Sequence, residues 1–279
     1  MVQEHGGGKN MSEPFVRKHA SYLSIKKWEN LLPSLTVGFS TSVGGFSKPP
    51  YQSLNMGLHV QDDQYNVIKN REQLAELLSF PLSNWVGGEQ IHGTNIKIVT
   101  NDDKGSGATS HTTSLPNIDG IITTEKGILC SAFFADCVPL FFLDPKQQLL
   151  GVAHAGWKGT VHGIAEQMIN RFRSLGSTAS DILVTIGPCI SKTHYEVDEQ
   201  VITHIAEEFH SNSVTAQQNG RYNLDLKQLN KDILLQSGVL RNNIGVSNYC
   251  TFEDRELFFS HRRDNGKTGR MLGFIGFSD

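Results

Sequence analysis

Four stretches decide the fold: Ile118-Asp-Gly-Ile-Ile-Thr123, Ile128-Leu-Cys-Ser-Ala-Phe-Phe134, Val138-Pro-Leu-Phe-Phe-Leu143 and Leu149-Leu-Gly-Val-Ala153. Each is short, apolar, rich in β-branched or aromatic residues, and bounded by Gly, Pro or Asp, as buried strands are. Upstream, Leu35-Thr-Val-Gly-Phe39 and Ile96–Val99 have the same character, and downstream so do Ile182–Ile186, Ile244–Val246, Phe258–Ser260 and Met271–Phe277. Between them lie segments of helical period. Val67, Ile68, Leu74, Leu77 and Leu78 follow Asp62-Asp63 and stop before Pro81. Val161, Ile164, Ala165, Met168, Ile169 and Phe172 form a second apolar face, for which Thr160 is the expected N-cap. Helices are also expected over Val201–Phe209 and Leu226–Leu235, and a polar surface loop over Asn101–Pro116. Strands come both in runs and interleaved with helices, so the expected class is α+β with mixed sheets.

The chain has 279 residues, room for one large domain or two small ones. No Pro/Gly/Ser linker divides the apolar segments, so the expected division is a flexible lead-in over residues 1–20 and a single catalytic domain over 21–279. Met11 is an alternative start. With 25 basic and 28 acidic residues the net charge is −3, which gives no reason to expect nucleic acid or an anionic membrane as partner. The four cysteines, Cys130, Cys137, Cys189 and Cys250, form no C-x-x-C, and apolar or Gly/Pro-rich surroundings suit reduced thiols. No apolar run reaches 18 residues and the N-terminus lacks an apolar signal core, so a cytoplasmic location is expected.

Three stretches carry polar side chains that a core does not need: Gly88-Glu-Gln-Ile-His-Gly93, Phe134-Ala-Asp-Cys-Val-Pro139 and Val152-Ala-His-Ala-Gly-Trp-Lys-Gly159. His92, Cys137 and His154 stand at strand ends or Gly-flanked turns, where a rigid sheet fixes direction and leaves access. Two imidazoles and a thiolate match the ligand type of a catalytic zinc, which keeps a fourth position open and lowers the pKa of water there from 15.7 to about 7. Asp136, beside Cys137, is a candidate proton carrier or a support for the metal ligands. Spacing alone leaves these roles level with structural ones, because a lone His is often a hydrogen-bonded core residue and a lone Cys a small hydrophobe.

Other motifs fail. The chain has no H-x-H pair of the kind a multicopper cluster needs. His194-Tyr-Glu196 follows Pro188-Cys189, whereas the zinc deaminase signature requires the reverse order and a second cysteine. Gly266-Lys-Thr268 lacks the upstream P-loop glycine, whose position is His261. In Phe259-Ser-His-Arg-Arg-Asp264 the paired arginines are either a fork for phosphate or a solvated turn, and Arg71 in the first helix has the same two readings.

Ser53-Leu-Asn-Met-Gly-Leu-His-Val60, Gln-Ile-His-Gly, Ala-Asp-Cys-Val-Pro, His-Ala-Gly-Trp-Lys-Gly, Ile186-Gly-Pro-Cys-Ile190 and Phe-Ser-His-Arg-Arg-Asp occur in that order. Together they resemble the YfiH-type family, once labelled laccase-domain or multicopper polyphenol oxidase-like and now described as purine nucleoside phosphorylases. The likeness runs from about Leu35 to Phe277. It implies a layered sandwich of mixed sheets covered by helices, with zinc held by His92, Cys137 and His154, copper being an alternative or artefactual metal. It implies phosphorolysis of adenosine, inosine, guanosine and 5′-methylthioadenosine, with adenosine deamination as a side activity and Asp136 and Cys137 as catalytic residues. Purine nucleosides and phosphate are then the partners, and the chain is a monomer or homodimer. Arg71, Lys158 and Arg263 are the candidates for binding substrate phosphate; Lys158 stands where many relatives have Arg, and keeps the charge without the bidentate fork. The fold is also similar to that of deamidating toxins, so a cysteine hydrolase using Cys137 and His154 is an alternative, and a copper-dependent polyphenol oxidase a second.

Overall fold

The computed structural model describes residues 13–279; the start of the lead-in and Met11 lie outside the described residues. In chain order the strands are β1 Val16–His19, β2 Tyr22–Ser24, β3 Leu35–Ser40, β4 Trp85–Gly87 and β5 Ile96–Ile98. Next come β6 Gly120–Thr123, β7 Ile128–Phe134, β8 Val138–Asp144, β9 Leu149–Ala155 and β10 Leu183–Ile186. The last are β11 Glu196–Val197, β12 Val214–Ala216, β13 Tyr222–Leu224, β14 Ile244–Val246 and β15 Met271–Phe277. One sheet has the order β1-β2-β3-β15-β7-β4, a second β14-β10-β8-β9-β6-β5, and a small third β11-β13-β12. Both large sheets are mixed: β4–β7, β5–β6 and β10–β14 pair parallel, and the remaining pairs antiparallel. The class is α+β.

Period-two alternation explains the layering. Along β7, Ile128, Cys130 and Phe134 face the second sheet, while Leu129 and Phe133 face outward. Along β8 and β9, Phe141, Leu143, Leu150 and Val152 fill the space between the sheets. Their alternates Leu140, Phe142, Leu149 and Ala153 pack on the helices Ile164–Ser174 and Leu226–Gln236. The helix Gln64–Leu78 covers the first sheet through Leu74 and Leu78. Strands buried on both faces need continuous apolar sequence, which is why the four deciding stretches show so little polar character. Each buried Leu or Phe contributes about 1.5–3 kcal/mol.

Several expectations need correction. Val16–His19 pairs antiparallel with Tyr22–Ser24, so the flexible lead-in does not extend to residue 20. Thr160 is no N-cap: it lies within a short helix Trp157–Val161, buried against Asn230, and Gly163 in the left-handed conformation begins the next helix. Val201–Phe209 is a single turn Glu199–Ile202 followed by a 3-10 turn Glu207–Phe209, because the extended backbone of Ala206 (φ −60°, ψ 137°) interrupts the helix between them. Phe258–Ser260 forms no strand; its amides donate in turn to Asp254 O, to Met271 Sδ and to the Asp264 carboxylate. The Asn101–Pro116 loop is anchored, with Ala108 and Leu115 buried. No helix among the described residues is long and apolar enough to cross a membrane.

Candidate metal centre and active-site cavity

The register of β8 on β9 sets Val138 opposite Ala155 and Pro139 opposite His154. Cys137 therefore ends the turn between β7 and β8 just across from Gly156, with His154 two residues back along the chain in β9. His154 projects on the face of Val152, and its ring lies 5.5 Å from that of Phe134. The Gly88–Gly93 turn, continuing from β4, brings His92 over this strand end. Gln90 secures the turn to β7: its amide donates to Phe133 O at 2.9 Å and accepts from Phe133 N at 2.7 Å.

The metal-capable atoms of His92, Cys137 and His154 lie within 4.8 Å of one another, and no other group of three was found among the described residues. The imidazoles of His92 and His154 are 4.8 Å apart, edge to face. A side chain at position 156 would break the arrangement, because a Cβ there would sit 2.7 Å from His92 Cδ2 and 3.2 Å from Cys137 Sγ.

Asp119, which the sequence reading did not single out, organises all of this. Its side chain is fully buried; Oδ1 accepts from His154 Nδ1 at 2.9 Å and from His92 N at 3.0 Å. Oδ2 accepts from Ile91 N at 3.1 Å and Gly93 N at 2.8 Å. One carboxylate thus holds three successive amides of a turn in which His92 has φ 61°, and holds the Nδ1 proton of His154, so that Nε2 is the nitrogen left for Cys137 or a metal. Burial works against ionisation of Asp119, but the bonds from His154 and the amides hold its carboxyl below the usual range. The available signal was a carboxylate inside an apolar run, Ile118-Asp-Gly-Ile.

Without a metal the site holds a thiolate–imidazolium pair, and a bound metal would displace the His154 proton. Burial disfavours the Cys137 thiolate, but the charge and hydrogen bond of His154, with those of His92, outweigh it and bring the thiol down to about 6. Burial likewise opposes charge on His154, yet Cys137 and Asp119 raise it to about 9. An anionic sulfur, two imidazoles and a fixed tautomer are the donor set that zinc or a similar ion takes with one position open.

The cluster lines a cavity of about 490 Å³, a size that suits a nucleoside. Phe133 and Tyr195 supply aromatic wall, Arg262 and Arg270 supply basic groups, and His59 supplies a polar one. A smaller cavity of about 310 Å³ shares His92, Asp136, Cys137, Ile190 and Tyr195 with it and is lined also by Trp157 and the exposed Lys158.

The other expected site residues fall differently. Asp136, with φ 86°, borders the cavity, but its carboxylate accepts from Thr251 Oγ1 at 2.6 Å, Ser260 Oγ at 3.0 Å and Arg262 N at 2.7 Å. It ties the Cys137 turn to the segment 251–262. Arg71 is fully buried: Nε and Nη2 donate to Met56 O at 2.9 and 2.6 Å, Nη1 to Gly107 O and Ala108 O at 2.6 and 2.8 Å. It is a strut between two loops, and its guanidinium lies 4.7 Å over the Phe133 ring. Arg263 lies outside this cavity, with its donors spent on Thr251 O, Phe252 O, Phe258 O and both Asp264 oxygens. Neither arginine has a fork left for phosphate.

A family profile described as "Multi-copper polyphenol oxidoreductase laccase" matches residues 36–278. The chain belongs to this family. Family members similar to it include "Purine nucleoside phosphorylase YlmD" of Bacillus subtilis (strain 168), 44% identical over 97% of this chain and 99% of that one. The protein of the same name from Geobacillus stearothermophilus is 48% identical, covering 86% of this chain and 89% of its own. The crystal structure of YlmD from Geobacillus stearothermophilus superposes with TM-score 0.92 at 43% identity, over 96% of this chain and 100% of that one. The Bacillus licheniformis protein titled YfiH superposes with TM-score 0.91, also at 43% identity, over 95% and 99%.

Proposed function

We propose that this protein is a zinc-dependent purine nucleoside phosphorylase acting on adenosine, inosine, guanosine and 5′-methylthioadenosine, with adenosine deamination as a side activity, in the cytoplasm. The observation that carries this is the convergence of His92, Cys137 and His154 in the lining of a nucleoside-sized cavity whose wall carries basic groups. The names of the YlmD relatives support it. A metal held there would supply a Lewis acid with an open position. The chain's own residues do the rest. Asp119 keeps the proton on His154 Nδ1 and the His92 turn in place. Phe133 and Tyr195 offer apolar surface to the purine and exclude water from the ribose. The basic wall stabilises the anionic co-substrate. Purified protein supplied with adenosine and phosphate should release adenine and ribose-1-phosphate, and Cys137→Ala should abolish this. Full activity of Cys137→Ala would overturn the assignment.

A cysteine hydrolase is the second activity to test, favoured by the Cys137 thiol at about 6 beside His154 at about 9. Chelation would leave its turnover intact and a thiol alkylator would abolish it; the phosphorylase should lose activity to both. A copper-dependent polyphenol oxidase has less support, since one three-donor group among the described residues stands against the several coppers in the family's label.

A further inference from the structure

We infer that Arg270 is the residue that binds the co-substrate phosphate, and that the Ser53–Val60 motif is the frame that aims it. The inference rests on the phosphorylase assignment above and names a residue within that cavity. Of the basic candidates, Arg71 and Arg263 have their forks committed to the protein, and Lys158 is exposed and lines only the smaller adjoining cavity. Arg262 is exposed at the rim, its guanidinium 5.2 Å over the Tyr195 ring and Nη1 on Glu196 O.

Arg270 differs from all of these. It immediately precedes β15 and lines the cavity together with His92, Cys137 and His154. Its Nη1 donates to Thr268 O at 2.8 Å and Gly269 O at 3.0 Å, which fixes the plane of the guanidinium. The Nε and Nη2 hydrogens have no partner among the described residues. Burial lowers its pKa, while the charges of Cys137 and Asp136, which line the same cavity, oppose that shift. A half-buried guanidinium with one edge anchored and the other unpaired is a fork for a tetrahedral oxyanion.

The motif Ser53-Leu-Asn-Met-Gly-Leu-His-Val60 gains a purpose from this. Asn55 Oδ1 accepts from both Arg270 N and Gly57 N at 2.9 Å, and Met56 N donates to Arg270 O at 3.0 Å. Asn55 Nδ2 in turn donates to Asp62 Oδ2 at 2.9 Å. Position 57 must be glycine, because a Cβ there would stand 2.8 Å from Arg270 Cγ. Arg71 holds the Met56 carbonyl from below. His59 lies in the same wall, kept neutral by burial and by Arg270, and presents a second polar group without adding charge.

In the reaction, an oxygen of HPO₄²⁻ bonds to C1′ of the ribose as the C1′–N9 bond breaks. That electron pair leaves with the purine, which ends with the proton the phosphate carried. Arg270 stays protonated and holds two phosphate oxygens throughout.

The test is titration of inorganic phosphate into the zinc-loaded whole chain, followed by calorimetry, for wild type, Arg270→Gln and Arg270→Lys. Zinc content and melting temperature serve as folding checks. Arg270→Gln should weaken phosphate binding about tenfold or more, the loss of a charged hydrogen bond, and Arg270→Lys should weaken it less. In turnover, KM for phosphate should rise while KM for adenosine changes less than about twofold. Should Arg270→Gln fail to fold, Arg270→Lys carries the test, because it keeps the charge and loses the fork. Unchanged phosphate affinity in a folded variant overturns the inference. Phosphate binding that depends on Arg270, in a protein that releases no base from any nucleoside, would instead overturn the phosphorylase assignment and leave the anion site standing.

Discussion

Asp119→Asn removes one negative charge and changes no volume, yet the geometry predicts a large effect. The native carboxylate accepts four hydrogen bonds, two on each oxygen. An asparagine has one oxygen able to accept two, and its NH₂ group would point at two of the same four donors. At least two charge-assisted bonds are therefore lost in a fully buried place, at about 1.5–3 kcal/mol each before relaxation. Part of this falls on folding, and the chain should lose about 2–4 kcal/mol of stability. Part falls on the metal, because His154 loses the partner that fixes its tautomer and His92 the acceptor that fixes its turn. Supports of this kind are worth about 10–100-fold in metal affinity, or about 1.4–2.8 kcal/mol. Competition against a chromophoric chelator measures zinc affinity, and urea unfolding of the metal-free protein measures the folding share separately. Zinc affinity within twofold of wild type, in a folded Asp119→Asn protein, would refute the role given to Asp119.

Gly156→Ala should lower zinc affinity by about tenfold or more, since the new methyl displaces the His92 ring; chelator competition reads this directly. His59 has a folded pKa of about 3 against 6.5 in the unfolded chain. Below pH 6.5 the unfolded chain takes up a proton that the folded chain refuses, so stability falls as pH drops towards 3. Relative to His59→Asn, wild type should lose about 2 kcal/mol more between pH 7 and 5 in urea unfolding, and an equal loss would contradict the assignment. Arg263→Gln should destabilise the fold by about 2–4 kcal/mol while KM for phosphate stays put, separating it from Arg270.

Much of this was legible before any coordinates, for identifiable reasons. Strands buried on both faces are written as unbroken apolar runs, so β7, β8 and β9 announced themselves. His92, Cys137 and His154 stood out because polar, metal-capable groups at such strand ends have no packing purpose. What stayed hidden depends on partners distant in sequence. Arg71 occupies an apolar position of its helix, between Val67 and Leu74, which signals burial; its acceptors are carbonyls of residues 56, 107 and 108. Arg262 and Arg263 are neighbours, yet one reaches the cavity rim and the other turns into the protein, and no periodicity separates them. Asp136 adjoins Cys137 in sequence while its oxygens bind the segment 251–262, whereas Asp119, distant in the chain from His92, Cys137 and His154, touches both histidine segments. The short strands β1, β2 and β11–β13 have too few residues for alternation to show.

Zinc K-edge X-ray absorption on the purified protein tests the central claim most directly. The account predicts about one zinc per chain, with one sulfur at about 2.3 Å and nitrogen or oxygen neighbours at about 2.0–2.1 Å, the sulfur disappearing in Cys137→Ser. A zinc shell without sulfur, or one unchanged by Cys137→Ser, would contradict it.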